Sequence, residues 1–163
     1  MSPLSDEIRE YRLQLGKGHI QKAYRGIMTF MSDLRAYLEN NHPDHTTGAL
    51  YFGYMDMTYF AFTPAALKDR KLKIAIVFLH EACRFEAWLA GNNRQTQAET
   101  IATLSRKNTG RYALSQIQPG VDSIIAWPVA EAPDFDWPEE LKKEIETKTM
   151  GFVGDMMAML QRP

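Results

Sequence analysis

The sequence predicts an α+β fold: two N-terminal helices, a central antiparallel sheet of four to five strands, and helices packed on it, the last at the C-terminus. Three features carry that prediction. Residues 20–39 repeat apolar side chains at helical spacing. Residues 71–91 divide into two alternating segments that match face to face. Residues 138–160 place Leu141, Ile145, Phe152, Met156 and Leu160 along one helical stripe.

The chain opens on "SPLSDEIREYRLQL", where Ser2 suits an N-cap and Pro3 the first helical position. Ile8, Tyr11 and Leu15 then recur at helical spacing until Gly16 and Gly18 end the segment. The second helix follows with Ile20, Ala23, Tyr24, Ile27, Met31, Leu34 and Leu38 as its apolar set. "NNHPDHTTG" (40–48) reads as a connection, broken by Pro43 and Gly48. Beyond it, "ALYFGYMDMTYFAF" (49–62) is β-rich, and "TPAALKDR" suits a short helical turn.

"KLKIAIVFLH" and "CRFEAWLAG" form a hairpin pattern around Glu81 and Ala82, pairing Phe78 with Phe85, Ile76 with Ala87 and Ile74 with Leu89. One face is then wholly apolar, while the other sets Lys73, Ala75, Val77 and Leu79 against Arg84, Glu86, Trp88 and Ala90. A slip of one residue would bury Arg84 and Glu86 in the apolar face, so the alternation selects this register. Residues 94–106 read as a helix with Ala98, Ile101, Ala102 and Leu104 inward. "RYALSQI" and "VDSIIAWPVAE" look extended on either side of "QPG", and Pro138, Glu139 and Glu140 open the final helix.

Composition bounds the function. The 163 residues carry a net charge of −1, which offers no broad basic field for a nucleic-acid backbone. One cysteine, Cys83, excludes an internal disulfide and a cysteine zinc cluster. The N-terminus is polar and no apolar run is long enough to span a membrane, so the expectation is a cytoplasmic protein forming a single α+β domain over 1–163.

In "YFGYMDMTYF", "LKDRKLKIAIVF" and "RFEAWLAGNNRQ", continued by "IREYR…KGHIQKAY" and "GVDSIIAW", the chain resembles an uncharacterised bacterial family of small single-domain proteins. The resemblance implies one domain over nearly the whole chain. It supplies no activity, cofactor or catalytic residue.

Site candidates therefore rest on the residues themselves. Asp56 is the one charged residue in the stretch 49–62. If that stretch is one strand, Phe52, Tyr54, Asp56, Thr58, Phe60 and Phe62 share a face, and a carboxylate among aromatics needs a partner. Arg84 is the natural candidate. A cleft holding Tyr54, Asp56, Arg84, Glu86 and Trp88 would suit a small molecule, with Asn92 and Arg94 at the following helix start. The competing readings make "MDM" a bend with Asp56 exposed, or make Asp56 and Arg84 a structural pair.

A metal-dependent hydrolase or nuclease using Asp56 with Glu86 or Asp69 is the alternative, Lys71 following Asp69 in "DRK". "HPDH" places His42, Asp44 and His45 together, but His19 and His80 lie in other elements, so the segment reads as a solvated loop and no metal is assigned. His80 reads as a turn residue, and Cys83 as packing on the apolar side of its strand with Phe85 and Ala87. Met150, Met156, Met157 and Met159 crowd the last helix, which suits either a broad core surface or contact with a second copy. The expected function is non-catalytic: a domain that binds a small ligand or another protein, with a homo-oligomer as an open candidate. Neither membrane nor nucleic acid is expected as a partner, and no cofactor is indicated.

Overall fold

Helical periodicity at the N-terminus produces two helices that meet at Gly18. In the computed structural model, which describes residues 3–161, α1 spans Leu4–Lys17 and α2 spans His19–Asn41. Pro3 is the N-cap of α1 rather than its first helical residue, and Ser2 lies outside the described residues. The two helices differ in burial. α2 buries Phe30, Met31, Leu34 and Leu38, whereas α1 buries nothing and leaves Leu4, Ile8, Tyr11 and Leu13 exposed.

Five strands follow: β1 (His45–Thr47), β2 (Met57–Pro64), β3 (Leu72–Leu79), β4 (Arg84–Gly91) and β5 (Ser123–Ala130). They form one sheet in the order β1-β2-β3-β4-β5, with every neighbouring pair antiparallel. The β3–β4 register pairs Phe78 with Phe85, Ile76 with Ala87 and Ile74 with Leu89, as the alternation predicts. Pro128 is accommodated because β5 is an edge strand, with register shifts on both sides of its pairing to β4.

Between the strands, α3 is a single turn (Ala65–Lys68) and α4 spans Arg94–Leu104. α4 buries Ile101 and Leu104 as expected, but Gln97 is its third buried residue while Ala102 is exposed. The final helix, α5, spans Pro138–Gln161 and buries the whole predicted stripe. Met159 is also buried, and Met150 and Met157 pack against the same core, so most of the methionine surface serves this chain's own interior.

α2 and α5 cover the apolar face of the sheet. Phe30 of α2 meets Phe85 at 5.5 Å between ring centroids, and Phe152 of α5 meets Tyr112 at 5.6 Å. Phe135, in the approach to α5, packs edge-on against Phe30 and Phe78.

Four expectations need correction. Residues 50–62 are not one strand: β2 begins only at Met57, because Gly53 and Met55 take positive φ of 77° and 65° and turn the chain. "RYALSQI" joins no strand, although Ser115 N–H donates to Ile124 C=O. Cys83 is exposed in the β3–β4 turn at φ 51°, not packed inside. The 40–48 segment is no solvated loop throughout: the His45 side chain is only 4% exposed and stacks on Phe62. Among the described residues no helix is long and apolar enough to cross a membrane.

Candidate functional site

Strand alternation puts Arg84, Glu86 and Trp88 side by side on the face of β4 opposite the phenylalanines. Glu86 is 5% exposed, and a carboxylate so buried needs all its lone pairs directed at donors. Arg84 Nη2 lies 2.7 Å from Glu86 Oε2, and the Trp88 indole N–H donates to Glu86 Oε1 at 2.8 Å. The carboxylate is therefore the hub that fixes both neighbours. Trp88 is held by its one polar atom, leaving its ring as a wall.

That wall bounds a cavity of about 240 Å3 on the same face. Tyr59 of β2, Lys73 and Val77 of β3, and Asn92, Arg94 and Gln97 at the start of α4 complete the parts that matter chemically. The start of α4 reaches the sheet because residue 91 is glycine: a Cβ there would stand 2.7 Å from the backbone nitrogen of Gln97. Asn93 caps α4, its Oδ1 accepting from Thr96 N–H at 2.8 Å.

The two cations at the cavity differ. Arg94 is engaged, donating to Val121 C=O at 2.5 Å, to Gln97 Oε1 at 3.1 Å and to Asp122 Oδ1 at 3.0 Å. Lys73 has no hydrogen-bond or ion-pair partner among the described residues, and its side chain is half-buried. Its ammonium is thus left without a direct partner in a cavity walled by Trp88 and lined also by Asp122.

The structure separates the predicted site residues into two groups. Arg84, Glu86 and Trp88 are together, and Trp88, Asn92 and Arg94 line the cavity. Tyr54 and Asp56 do not line it. Tyr54 is 88% exposed, and Asp56 sits at the bend with its Oδ1 accepting from Tyr54 N–H at 2.9 Å. Backbone donors from Tyr54 first, then Met57, hold the Asp56 carboxyl below the usual carboxylate range. Arg84 pairs with Glu86 and not with Asp56.

The arrangement also works against the two-carboxylate reading. Asp56 precedes and Asp69 follows the eight residues of β2, and a strand of that length separates its ends by about 25 Å. Glu86 already directs both oxygens at protein donors. Sequence reasoning missed Lys73 and Tyr59 as site residues. Their alternation signal was present: both stand on the Trp88 face, through the pairs Lys73–Ala90 and Tyr59–Val77.

Fold and cavity together define an α+β protein with a five-stranded antiparallel meander, one face under helices and the other bearing a small pocket. The chain belongs to the family described as a domain of unknown function, DUF7000, which matches residues 4–160. No curated protein and no solved structure matches it.

Proposed function

We propose that the chain is a single domain that binds a small molecule in the Tyr59–Lys73–Trp88 cavity without transforming it. The observation that carries this is the unpaired Lys73 ammonium in a cavity walled by Trp88 and opening at the start of α4. A ligand with a flat apolar body and an anionic group suits it: the body packs on the indole, and the anion meets Lys73 and the positive end of α4. At about 240 Å3 the cavity takes a metabolite rather than a larger molecule. Binding rather than catalysis is favoured because Glu86, the buried acid nearest Trp88, has both oxygens engaged.

The test is thermal unfolding against small aromatic carboxylates and phosphate monoesters, with wild type, Lys73→Ala and Trp88→Ala. A ligand at 100 times its dissociation constant stabilises by about 2.7 kcal/mol, roughly 5–10 °C for a domain of this size. The expected result is such a shift in wild type, with affinity at least about tenfold lower in both variants. A panel without any stabiliser, or a stabiliser indifferent to both substitutions, overturns the reading.

A further inference from the structure

The junction from the end of α2 into β1 brings together side chains that the cavity does not use. His42, Asp44 and His45 each present a ligand atom, and the three atoms lie within 4.8 Å of one another. His42 Nε2 stands 2.8 Å from Glu146 Oε2, across from α5. Glu146 is itself fixed, accepting from Tyr37 O–H at 2.9 Å and from Asn41 Nδ2 at 3.2 Å. A carboxylate can only accept, so Nε2 of His42 carries the proton and Nδ1 is the lone-pair atom of the neutral ring.

His45 supplies the second imidazole. Its ring stacks on Phe62 at 4.3 Å between centroids and 18° between planes. The side chain is 4% exposed, and Nε2 is buried with no hydrogen-bond partner, a position that is costly for a polar nitrogen. Nδ1 lies 3.3 Å from Asp44 Oδ1. Asp44 is 81% exposed, so it supplies the solvent-side oxygen.

We infer that His42, Asp44 and His45 form a binding site for a zinc-class divalent cation, with Glu146 orienting His42 from behind. Two imidazoles and a carboxylate are the donor set of borderline divalent metals, not of magnesium or calcium. A carboxylate on the far nitrogen of a ligating histidine is the usual supporting contact of such sites, because it fixes the tautomer and strengthens the ligand. Three protein donors leave a fourth position to water. Phe62 and the α2–α5 contacts hold the imidazoles, so binding needs only Asp44 and small ring rotations to close the set.

Calorimetric titration of tag-free protein with Zn2+, and the visible spectrum with Co2+ in its place, test the inference. Wild type should take up one Zn2+ per chain, with Mg2+ failing to compete. His42→Ala should abolish uptake, and Asp44→Ala should weaken it at least about tenfold. Glu146→Gln should weaken it by about 10–100-fold, as loss of a supporting carboxylate does elsewhere. If His42→Ala does not fold, Asp44→Ala decides, since its side chain is 81% exposed and its removal leaves the His45 ring stacked on Phe62. Absence of one-to-one Zn2+ uptake, or uptake unchanged in Asp44→Ala and Glu146→Gln, overturns the site. Uptake that moves with His19 or His80 in place of His42 overturns it as well.

Discussion

The two faces of the β2–β4 sheet satisfy their buried side chains by different means. Under α2 and α5, Phe60, Phe62, Ile76, Phe78 and Phe85 are at most 1% exposed and pack against apolar side chains and rings, among them the imidazoles of His45 on Phe62 and of His80 on Phe78. On the opposite face Val77 is equally buried, but beside it lies Glu86, held by Arg84 and by Trp88. Apolar volume stabilises the first face. Matched donors and acceptors stabilise the second, and that matching orients the aromatic wall of the cavity. One sheet thus serves as core on one side and as a preorganised surface on the other.

The sharpest difference between the faces should appear in Phe78→Ala. Phe78 touches Phe85, Phe135 and His80, and its ring is 1% exposed. Removing it leaves a void that neighbouring rings cannot fill, at a cost of about 3–5 kcal/mol. Urea unfolding measures this through the midpoint at unchanged slope. A loss below about 1 kcal/mol would mean that the covered face is loosely packed and that the contrast drawn here is false.

Glu86→Ala comes next. It strands the Trp88 indole N–H and takes the carboxylate from Arg84, whose Nε already has no partner. Loss of one member of such a set costs about 1–3 kcal/mol. Arg84 is 44% exposed and can turn to water, which puts the expectation in the lower half of that range. Glu86→Gln keeps an acceptor for Trp88 and should fall between alanine and wild type. If alanine and glutamine are equally harmless, the hub role assigned to this carboxylate is wrong.

How much of this contrast could be read in the sequence follows from how local each feature is. The β3–β4 register was legible because a one-residue slip would put Arg84 and Glu86 in the phenylalanine face, and the short connection between the strands disfavours longer slips. The α5 stripe was legible through its period. Asp56 was not: a run of apolar letters suggested burial, yet Phe52, Tyr54 and Met55 are exposed at a bend made by left-handed Gly53 and Met55. Positive φ at a methionine leaves no mark in composition. The link between His42 and Glu146 was equally hidden, since 104 residues separate them and only the packing of α2 against α5 joins them. The stripe of one helix and the pairing of two strands adjacent in sequence could be foreseen; contacts between elements distant in sequence could not.

A titratable ring at the end of the covered face gives the smallest effect. His80 follows β3, packs edge-on against Phe78 and stacks with Tyr24 of α2 at 6.0 Å. Thr58 spends its hydroxyl proton on Phe52 C=O at 2.6 Å, so it accepts from His80 Nε2–H at 2.8 Å. Burial pushes the imidazole below its ordinary value of 6.5, with Asp56 opposing weakly. The unfolded chain then binds more protons than the folded one in the interval between the depressed value and 6.5. Stability rises with pH across that interval, is complete above it, and is lost as acid protonates the half-buried ring. Unfolding midpoints for wild type and His80→Gln between about pH 5 and pH 8 isolate this contribution from the other histidines, which both proteins share. Wild type should lose more stability than the variant on acidification, so the gap between the two curves should change with pH. A gap that stays constant would mean that the ring titrates as if in water, and that the covered face ends before His80.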